Sequence, residues 1–164
     1  MRMGTASNYL AEIESDLGES WLPRIYRRVL KMRTRAYEFP PLPKNVAPAI
    51  HHTLLGIELK VGSRRMLCPD LATARYLAVL CRTRSKAVAI PYDITKISYL
   101  ADELESSWHR MFLLVDEIAA NQSDAFRTRL KRQLIAKVRE GIVEAGAGPR
   151  VPSFRESTKQ RREA

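Results

Sequence analysis

The chain has 164 residues, of which 45% are apolar and 28% are charged, and its formal net charge is +10, with an isoelectric point of about 10.0. This length fits one domain with a single core, and the apolar fraction predicts that most of the chain folds rather than staying disordered. The charge favours an anionic partner such as nucleic acid or an acidic protein surface. The alternative is that the charge only keeps the protein soluble.

The sequence contains neither a secretory signal nor an apolar run long enough for a membrane helix. Its cysteines, Cys68 and Cys81, are too few for a disulfide framework, so we expect reduced, buried thiols. These features predict a soluble, cytoplasmic protein with no membrane partner. Arg outnumbers Lys 20 to 8 and Asn plus Gln total six, which is typical of a thermophile or of a GC-rich genome.

The first predicted elements are two helices. Residues 7–18 form a short acidic helix that Ser7 caps and Gly18 ends. A longer helix begins at Leu22, and its apolar positions, at steps of three and four, continue to Ala36.

A basic stripe accompanies this second helix. Its members Arg24, Arg28, Lys31 and Arg35 are also spaced by three and four residues. They therefore predict a continuous line of charge over about three helical turns, opposite the apolar face. Such a line can track phosphates, but it is equally the ordinary solvated face of an amphipathic helix. Arg33 falls on the apolar face, where we expect an ion pair with the acidic helix, the alternative being a ligand contact.

The middle of the chain predicts strands around one helix. Residues 39–48 carry four prolines and form an extended connector. Two strands follow, joined at Gly62 and Ser63, then a helix capped by Asp70, then an apolar strand that begins near residue 87. Strand, helix and strand of this length predict a right-handed crossover. We therefore expect a small mixed three-stranded sheet over about residues 56–91.

The C-terminal part predicts a helical hairpin. An acidic helix covers about residues 95–120, and a basic helix capped by Ser123 ends near Gly146. The two either pair their charges or turn the basic helix towards a polyanion. The long apolar stripes, which include Trp108, Met111 and Phe112, predict docking onto a protein partner or a second copy. The fold class is thus α+β, with one domain over residues 1–145 and a basic, flexible tail over residues 146–164.

Motifs for catalysis are nearly absent. Glu58 and Lys60 lie on one strand face and are similar to the Glu-x-Lys of metal-dependent nucleases, but no Asp lies between Asp16 and Asp70 to complete a metal site. An exposed charge pair across strands is the alternative. No zinc spacing or glycine-rich phosphate loop is present, so we expect no catalytic residue, metal or cofactor.

Two stretches carry a resemblance to a known family. "YRRVLKMRTRAYEF" with its proline-containing connector is similar to helical-domain segments of GINS replication-complex subunits. "LATARYLAVL…AVAIP" resembles the small strand–helix domain of the same proteins. Neither stretch contains a diagnostic motif and the flanking helices do not fit, so the resemblance assigns no family.

These features together predict a non-enzymatic nucleic-acid-associated protein, or a small subunit of a nucleic-acid-handling complex, that binds phosphates without sequence specificity. The candidate contact residues are Arg24, Arg28, Lys31, Arg35, Arg64 and Arg65. Further cations that belong to this distributed basicity are Arg82, Arg84 and Lys86. Tyr26 and Tyr37 flank the stripe and would stack on bases or pack in the core. The alternatives are a nuclease built on Glu58 and Lys60, and a homo-oligomeric structural protein.

Overall fold

The structure is a computed structural model that describes residues 5–148. It has the α+β architecture that the sequence predicts. Its elements in chain order are α1 (Ala6–Leu17), α2 (Leu22–Leu30), β1 (Thr34–Glu38), β2 (Ala49–Thr53), β3 (Gly56–Val61), β4 (Arg64–Cys68), α3 (Leu71–Arg82), β5 (Ala87–Pro91), α4 (Ile94–Ile118) and α5 (Asp124–Ala145). Most of the predicted tail lies outside the described residues. In the described part, no helix is both long and apolar enough to cross a membrane.

Helix boundaries follow the capping signals of the sequence closely. The side chain of Asp70 accepts from the Thr73 amide at 2.7 Å, and Ser123 accepts from the Phe126 amide at 3.1 Å. Gly18 ends α1 with a φ of 54°, a left-handed conformation that glycine adopts without strain. The predicted cap of α1 was wrong, because Thr5 rather than Ser7 holds that position.

The second helix is much shorter than predicted. It ends at Leu30, and residues 34–38 form β1 instead of a further turn and a half of helix. This strand pairs antiparallel with β5, in a register that runs from Thr34 opposite Pro91 to Glu38 opposite Ala87. Strand pairing with a buried partner therefore overrides the helical spacing of the apolar residues. The continuous basic stripe over three helical turns does not exist.

The strands form two sheets rather than one. β2, β3 and β4 are an antiparallel meander, and Gly62 with a φ of 60° makes the predicted turn between β3 and β4. β5 does not join this meander but pairs with β1 in a separate two-stranded sheet. The predicted mixed sheet with a parallel crossover was therefore wrong, although the strands at residues 56–61, 64–68 and 87–91 are present.

Two buried tyrosines complete the polar groups along β5. The backbone amide of Ala89 donates to the Tyr26 hydroxyl at 2.9 Å, and the Ala89 carbonyl accepts from the Tyr76 hydroxyl at 2.6 Å. The Tyr26 hydroxyl also donates to the Gly146 carbonyl, just after α5, at 2.6 Å. Because buried backbone groups need partners, these hydroxyls replace the neighbouring strand that a larger sheet would supply.

The long helix α4 occupies the centre of the packing. It contacts α1, α2, α3, α5 and β5, and its residues Leu100, Leu104, Met111 and Val115 are buried. Buried side chains from both sheets and all five helices belong to one apolar cluster. Met111 is therefore part of the core and is not available for the docking that the sequence predicted.

Candidate nucleic-acid interface

A groove runs between the proline-rich connector and the segment that follows α3. Residues 38–48 form one wall, residues 81–87 form the other, and the cavity between them has a volume of about 840 Å³. Side chains from three further elements contribute to the lining: Val61 of β3, Trp108 of α4 and Ile135 of α5. The lining is mostly apolar, and its cations are Lys44, Arg82, Arg84 and Lys86.

The connector wall is held in place by backbone packing. Its prolines exclude a helix and leave the segment extended. The amide of Phe39 donates to the Lys86 carbonyl at 2.9 Å, which continues the ladder between β1 and β5 by one bond. The turn between β3 and β4 packs against Pro43, so closely that a Cβ on Gly62 would lie 2.8 Å from the Pro43 ring. Both ends of the wall are therefore fixed by the two sheets.

The opposite wall is an ordered loop with alternating burial. Thr83 and Ser85 are buried, whereas Arg82, Arg84 and Lys86 are exposed. The Thr83 hydroxyl donates to the Leu80 carbonyl at 2.6 Å, and it lies 2.8 Å from the Ser85 hydroxyl. These bonds hold the loop from inside and direct three cations outwards.

The helix α5 fixes the same loop from a second side. The Arg139 Nε donates to the Thr83 carbonyl at 2.9 Å, which satisfies a carbonyl at the C-terminus of α3. A cation at this position also interacts favourably with the negative end of the helix dipole.

Two residues with left-handed backbone face each other across the groove. Asn45 has a φ of 63° and Arg84 a φ of 61°, and the Arg84 Nη2 donates to the Asn45 Oδ1 at 3.2 Å. Asn tolerates this conformation, but for arginine it is strained. Strained non-glycine residues concentrate at functional sites, and Arg84 lies between two other exposed cations.

The carboxylates of α4 are engaged by cations outside the groove. They form ion pairs with cations of α2, α3 and α5. These pairs are Glu103 with Arg28, Asp102 and Glu105 with Arg75, and Asp116 with Lys131. The predicted pairing between α4 and α5 is thus represented by one pair, and α4 mainly neutralises α2 and α3. Glu38 is the carboxylate that lines the groove.

The predicted contact residues on α2 and β1 do not form one surface. Arg24 is exposed on α2, Arg28 is paired with Glu103, and Lys31 ends the helix. Arg35 lies on β1, on the strand face that also carries Tyr37 and Phe39. Their contact with nucleic acid stays a prediction, and Arg35 is the member nearest in sequence to the groove.

The two predicted contacts on β4 lie on opposite faces of their strand. Arg64 pairs with Val61, which lines the groove, and Arg65 pairs with Lys60 on the outer face. Arg64 therefore stands at the end of the sheet that borders the groove. Arg65 and Lys60 place two like charges opposite each other on neighbouring strands.

The remaining aromatic and basic residues of the N-terminal region are used structurally. Tyr26 is fully buried, and burial raises its pKa, so it cannot stack on a base. Burial also raises the pKa of Tyr37, whose ring meets Phe39 edge to face at 5.2 Å. Arg33 is exposed and lies 4.9 Å above the Tyr92 ring, so the expected ion pair with α1 was wrong.

The candidate nuclease residues lack a metal site around them. Glu58 faces His51 and Leu67 in the sheet register. Within the part of the chain that the structure describes, no group of three His, Cys, Asp or Glu side chains is arranged to hold a metal ion. The thiols also lack activation, because burial raises the pKa of Cys68 and raises that of Cys81 to about 11.

Comparison with protein-family models, with curated proteins and with solved structures finds no match to this chain. The resemblance to GINS subunits therefore has no support from these comparisons.

Proposed function

We propose that this protein is a non-enzymatic nucleic-acid-associated protein that binds the phosphate backbone at the groove between the connector and the loop after α3. The observation that carries this proposal is the convergence of Lys44, Arg82, Arg84 and Lys86 from two separate segments around one cavity. Cations that contact phosphates release counterions condensed on the nucleic acid, and this release is the main source of non-specific affinity.

Preorganisation of the loop supports the same proposal. The hydroxyls of Thr83 and Ser85 and the guanidinium of Arg139 fix the backbone from which the three loop cations extend. Binding therefore costs little loop ordering, and the entropy penalty falls mainly on the long side chains. The Arg84 guanidinium already donates one hydrogen bond to the Asn45 side chain, and a phosphate oxygen would be a stronger acceptor for this guanidinium.

Sequence-independent binding is the expected mode. The cations are arginines and lysines on a loop and a connector, not on a helix or ribbon shaped to enter a major groove. Contacts of this kind position a nucleic acid by its backbone and carry no base information.

The proposal is tested by titrating fluorescently labelled DNA and RNA, single-stranded and duplex, with protein at several salt concentrations. A groove variant replaces Lys44, Arg82 and Lys86 with Ala. A matched variant replaces Arg24, Lys31 and Arg35 with Ala, which removes the same charge from the N-terminal set. We expect the groove variant to flatten the log–log salt slope by about 2 to 3, since each lost phosphate contact removes about 0.7 to 0.9.

The matched variant separates the groove from general charge. Equal losses in both variants would indicate attraction by net charge alone, without a site at the groove. A loss confined to the N-terminal variant would support the basic residues predicted from the sequence and remove the groove from the interface. No salt-dependent binding by the wild-type protein would refute nucleic-acid association altogether.

Self-association is a second candidate function, and an exposed apolar tip favours it. Leu54 and Leu55 form the turn between β2 and β3 and are 107% and 85% exposed, and Leu67 on β4 is 65% exposed. The Leu67 side chain lies 3.6 Å from the Cβ position of Gly56, the residue that follows this turn. Such exposed apolar clusters are typical of protein contacts. Sedimentation equilibrium of the wild type and of the Leu54→Ser, Leu55→Ser variant checks this, and a wild-type monomer at all concentrations would exclude it.

A further inference from the structure

We infer that the groove takes an unpaired nucleic-acid strand, with bases inside the apolar cavity and phosphates on the cationic rim. This inference rests on the proposed function and adds the substrate class. It starts from the mixed chemistry of one site, in which four cations surround a largely apolar interior lined by Phe39, Leu42, Trp108 and Ile135.

A duplex would make no contact with the apolar interior of the groove. A duplex buries its bases in the stack and presents phosphates and narrow base edges, so it would contact the rim and leave the apolar lining exposed. An unpaired strand exposes the flat faces of its bases, which bind aromatic and apolar surfaces. A cavity of about 840 Å³ is within the size range of sites that enclose small organic ligands, and a nucleobase is such a group.

The aromatic rings of the lining are held in place before any ligand binds. The Trp108 ring meets Phe112 edge to face at 5.0 Å, and the Phe39 ring meets Tyr37 in the same way at 5.2 Å. Such edge-to-face contacts restrict the orientation of both rings. The two rings that line the cavity come from different elements, because Phe39 belongs to the connector and Trp108 belongs to α4.

Cations occupy both sides of this lining. Lys44 extends from the connector wall, and Arg82, Arg84 and Lys86 extend from the loop wall. Arg64, at the end of the neighbouring sheet, continues the positive surface beyond the cavity. A strand bound in the groove would therefore have cations on both sides of it.

An acidic peptide with apolar side chains is the competing occupant. A nucleotide strand fits the observations better, since each of its units carries both a charge and a flat ring. A peptide separates these properties onto different residues. The net charge of +10 also favours a nucleic-acid strand over a short peptide, because every nucleotide along the strand carries a negative charge.

The experiment compares three labelled probes of equal length at the same series of salt concentrations: oligothymidylate, the same backbone without bases, and a duplex. We expect the wild-type protein to bind oligothymidylate about ten-fold more tightly than the abasic strand, because stacking on one or two rings supplies that difference. The duplex should bind with an affinity near that of the abasic strand.

Substitution of the ring tests whether the groove is responsible. Trp108→Leu keeps an apolar side chain and should remove most of the preference for bases while leaving the salt slope unchanged. The matched control is Tyr99→Leu, an aromatic residue that is 65% exposed and lies on the opposite side of α4 at about 100° per residue. Phe39→Leu provides a second variant outside the helices, in case Trp108→Leu alters thermal unfolding.

Fluorescence gives an independent measurement of stacking. The protein has two tryptophans, and Trp21 is buried at 3% exposure, whereas Trp108 lines the groove. Oligothymidylate should quench the emission of the wild type and leave that of Trp108→Leu unchanged.

The possible results separate the two proposals. Equal affinity for all three probes, with a normal salt slope, would overturn the inference and leave the proposed function intact. The absence of salt-dependent binding would overturn both. Displacement of oligothymidylate by a peptide of alternating Glu and Phe, at lower concentration than by unlabelled oligothymidylate, would assign the groove to a protein partner instead.

Discussion

The Tyr26 hydroxyl joins three distant parts of the chain, and its removal should destabilise the fold strongly. Tyr26→Phe deletes one oxygen from a fully buried side chain without changing the shape of the ring. That oxygen accepts from the Ala89 amide at 2.9 Å and donates to the Gly146 carbonyl at 2.6 Å. The substitution therefore removes two hydrogen bonds and opens only a small cavity.

The magnitude depends on what the partners can do afterwards. The Ala89 amide is buried beneath α2, and an unsatisfied buried donor costs about 1 to 3 kcal/mol. The Gly146 carbonyl is partly exposed and regains water, so its lost bond costs about 0.5 to 1.5 kcal/mol. We expect a total of about 2 to 4 kcal/mol, a large share of the roughly 5 to 15 kcal/mol that stabilises most domains.

Urea unfolding followed by circular dichroism measures this effect. With a typical slope for a small protein, the midpoint should fall by about 1 to 2 M with the slope unchanged. Tyr99→Phe is the control, because Tyr99 is 65% exposed and its hydroxyl is solvated, so its midpoint should stay at the wild-type value. A Tyr26→Phe midpoint within error of that control would refute the reasoning that this hydroxyl completes the edge of β5.

Three further predictions concern pH, packing and strain. Burial raises the pKa of both Tyr26 and Tyr76 above 10.0. Their contribution to the free energy of unfolding is therefore complete below pH 10 and decreases as the pH rises towards the folded-state pKa values, by up to about 1.4 kcal/mol per pH unit for each tyrosine. Urea midpoints measured across this range should fall less steeply with pH in Tyr26→Phe than in the wild type. A Cβ on Gly141 would lie 2.8 Å from the Pro23 Cβ, so Gly141→Ala should cost about 1 to 3 kcal/mol, and in a Pro23→Gly background, which removes that atom, the same substitution should cost less than half as much; additive losses would contradict a direct clash. Arg84→Gly removes a left-handed arginine, so thermal unfolding should show unchanged or higher stability, by up to about 1 kcal/mol, while nucleic-acid affinity falls; a large drop in stability would show that the loop depends on the arginine.

Elements whose signals are local could be predicted from the sequence. The cap residues Asp70 and Ser123, the glycine turn at Gly62 and the end of α5 near Gly146 all depend on side chains within a few positions of the feature itself. The long helices were predictable for the same reason, since their apolar period persists over many turns.

The sheet arrangement could not be predicted, because it depends on contacts between distant residues. Residues 34–38 read as helix by spacing, and β5 supplies the pairing that makes them a strand. β5 read as a partner of the meander, but hydroxyls from Tyr26 and Tyr76 satisfy its backbone instead. No spacing of residues in the sequence indicates that a tyrosine on a helix will hydrogen-bond to the backbone groups that a neighbouring strand would otherwise satisfy.

The chemistry of the candidate site could be predicted from the sequence, but its position in the fold could not. Composition pointed to cations and to an anionic partner, and Arg64 does lie beside the groove. The alternation of Arg82, Thr83, Arg84, Ser85 and Lys86 was the missed signal, because buried hydroxyls between exposed cations indicate an ordered basic loop. The connector's role as the facing wall required the fold, since Lys44 and Arg84 are distant in sequence.

The bond between the Tyr26 hydroxyl and Gly146 spans 120 residues and makes completion of the fold a late event in synthesis. The chain between Ala89 and Gly146 takes about 3 to 11 s to add at ordinary ribosomal speeds. During that interval the residues of α2 and β5 have been synthesised, but α4 and α5, which pack against them, are not complete. The nascent chain therefore passes through a stage in which apolar surface that these helices later bury is exposed, and such surface favours aggregation.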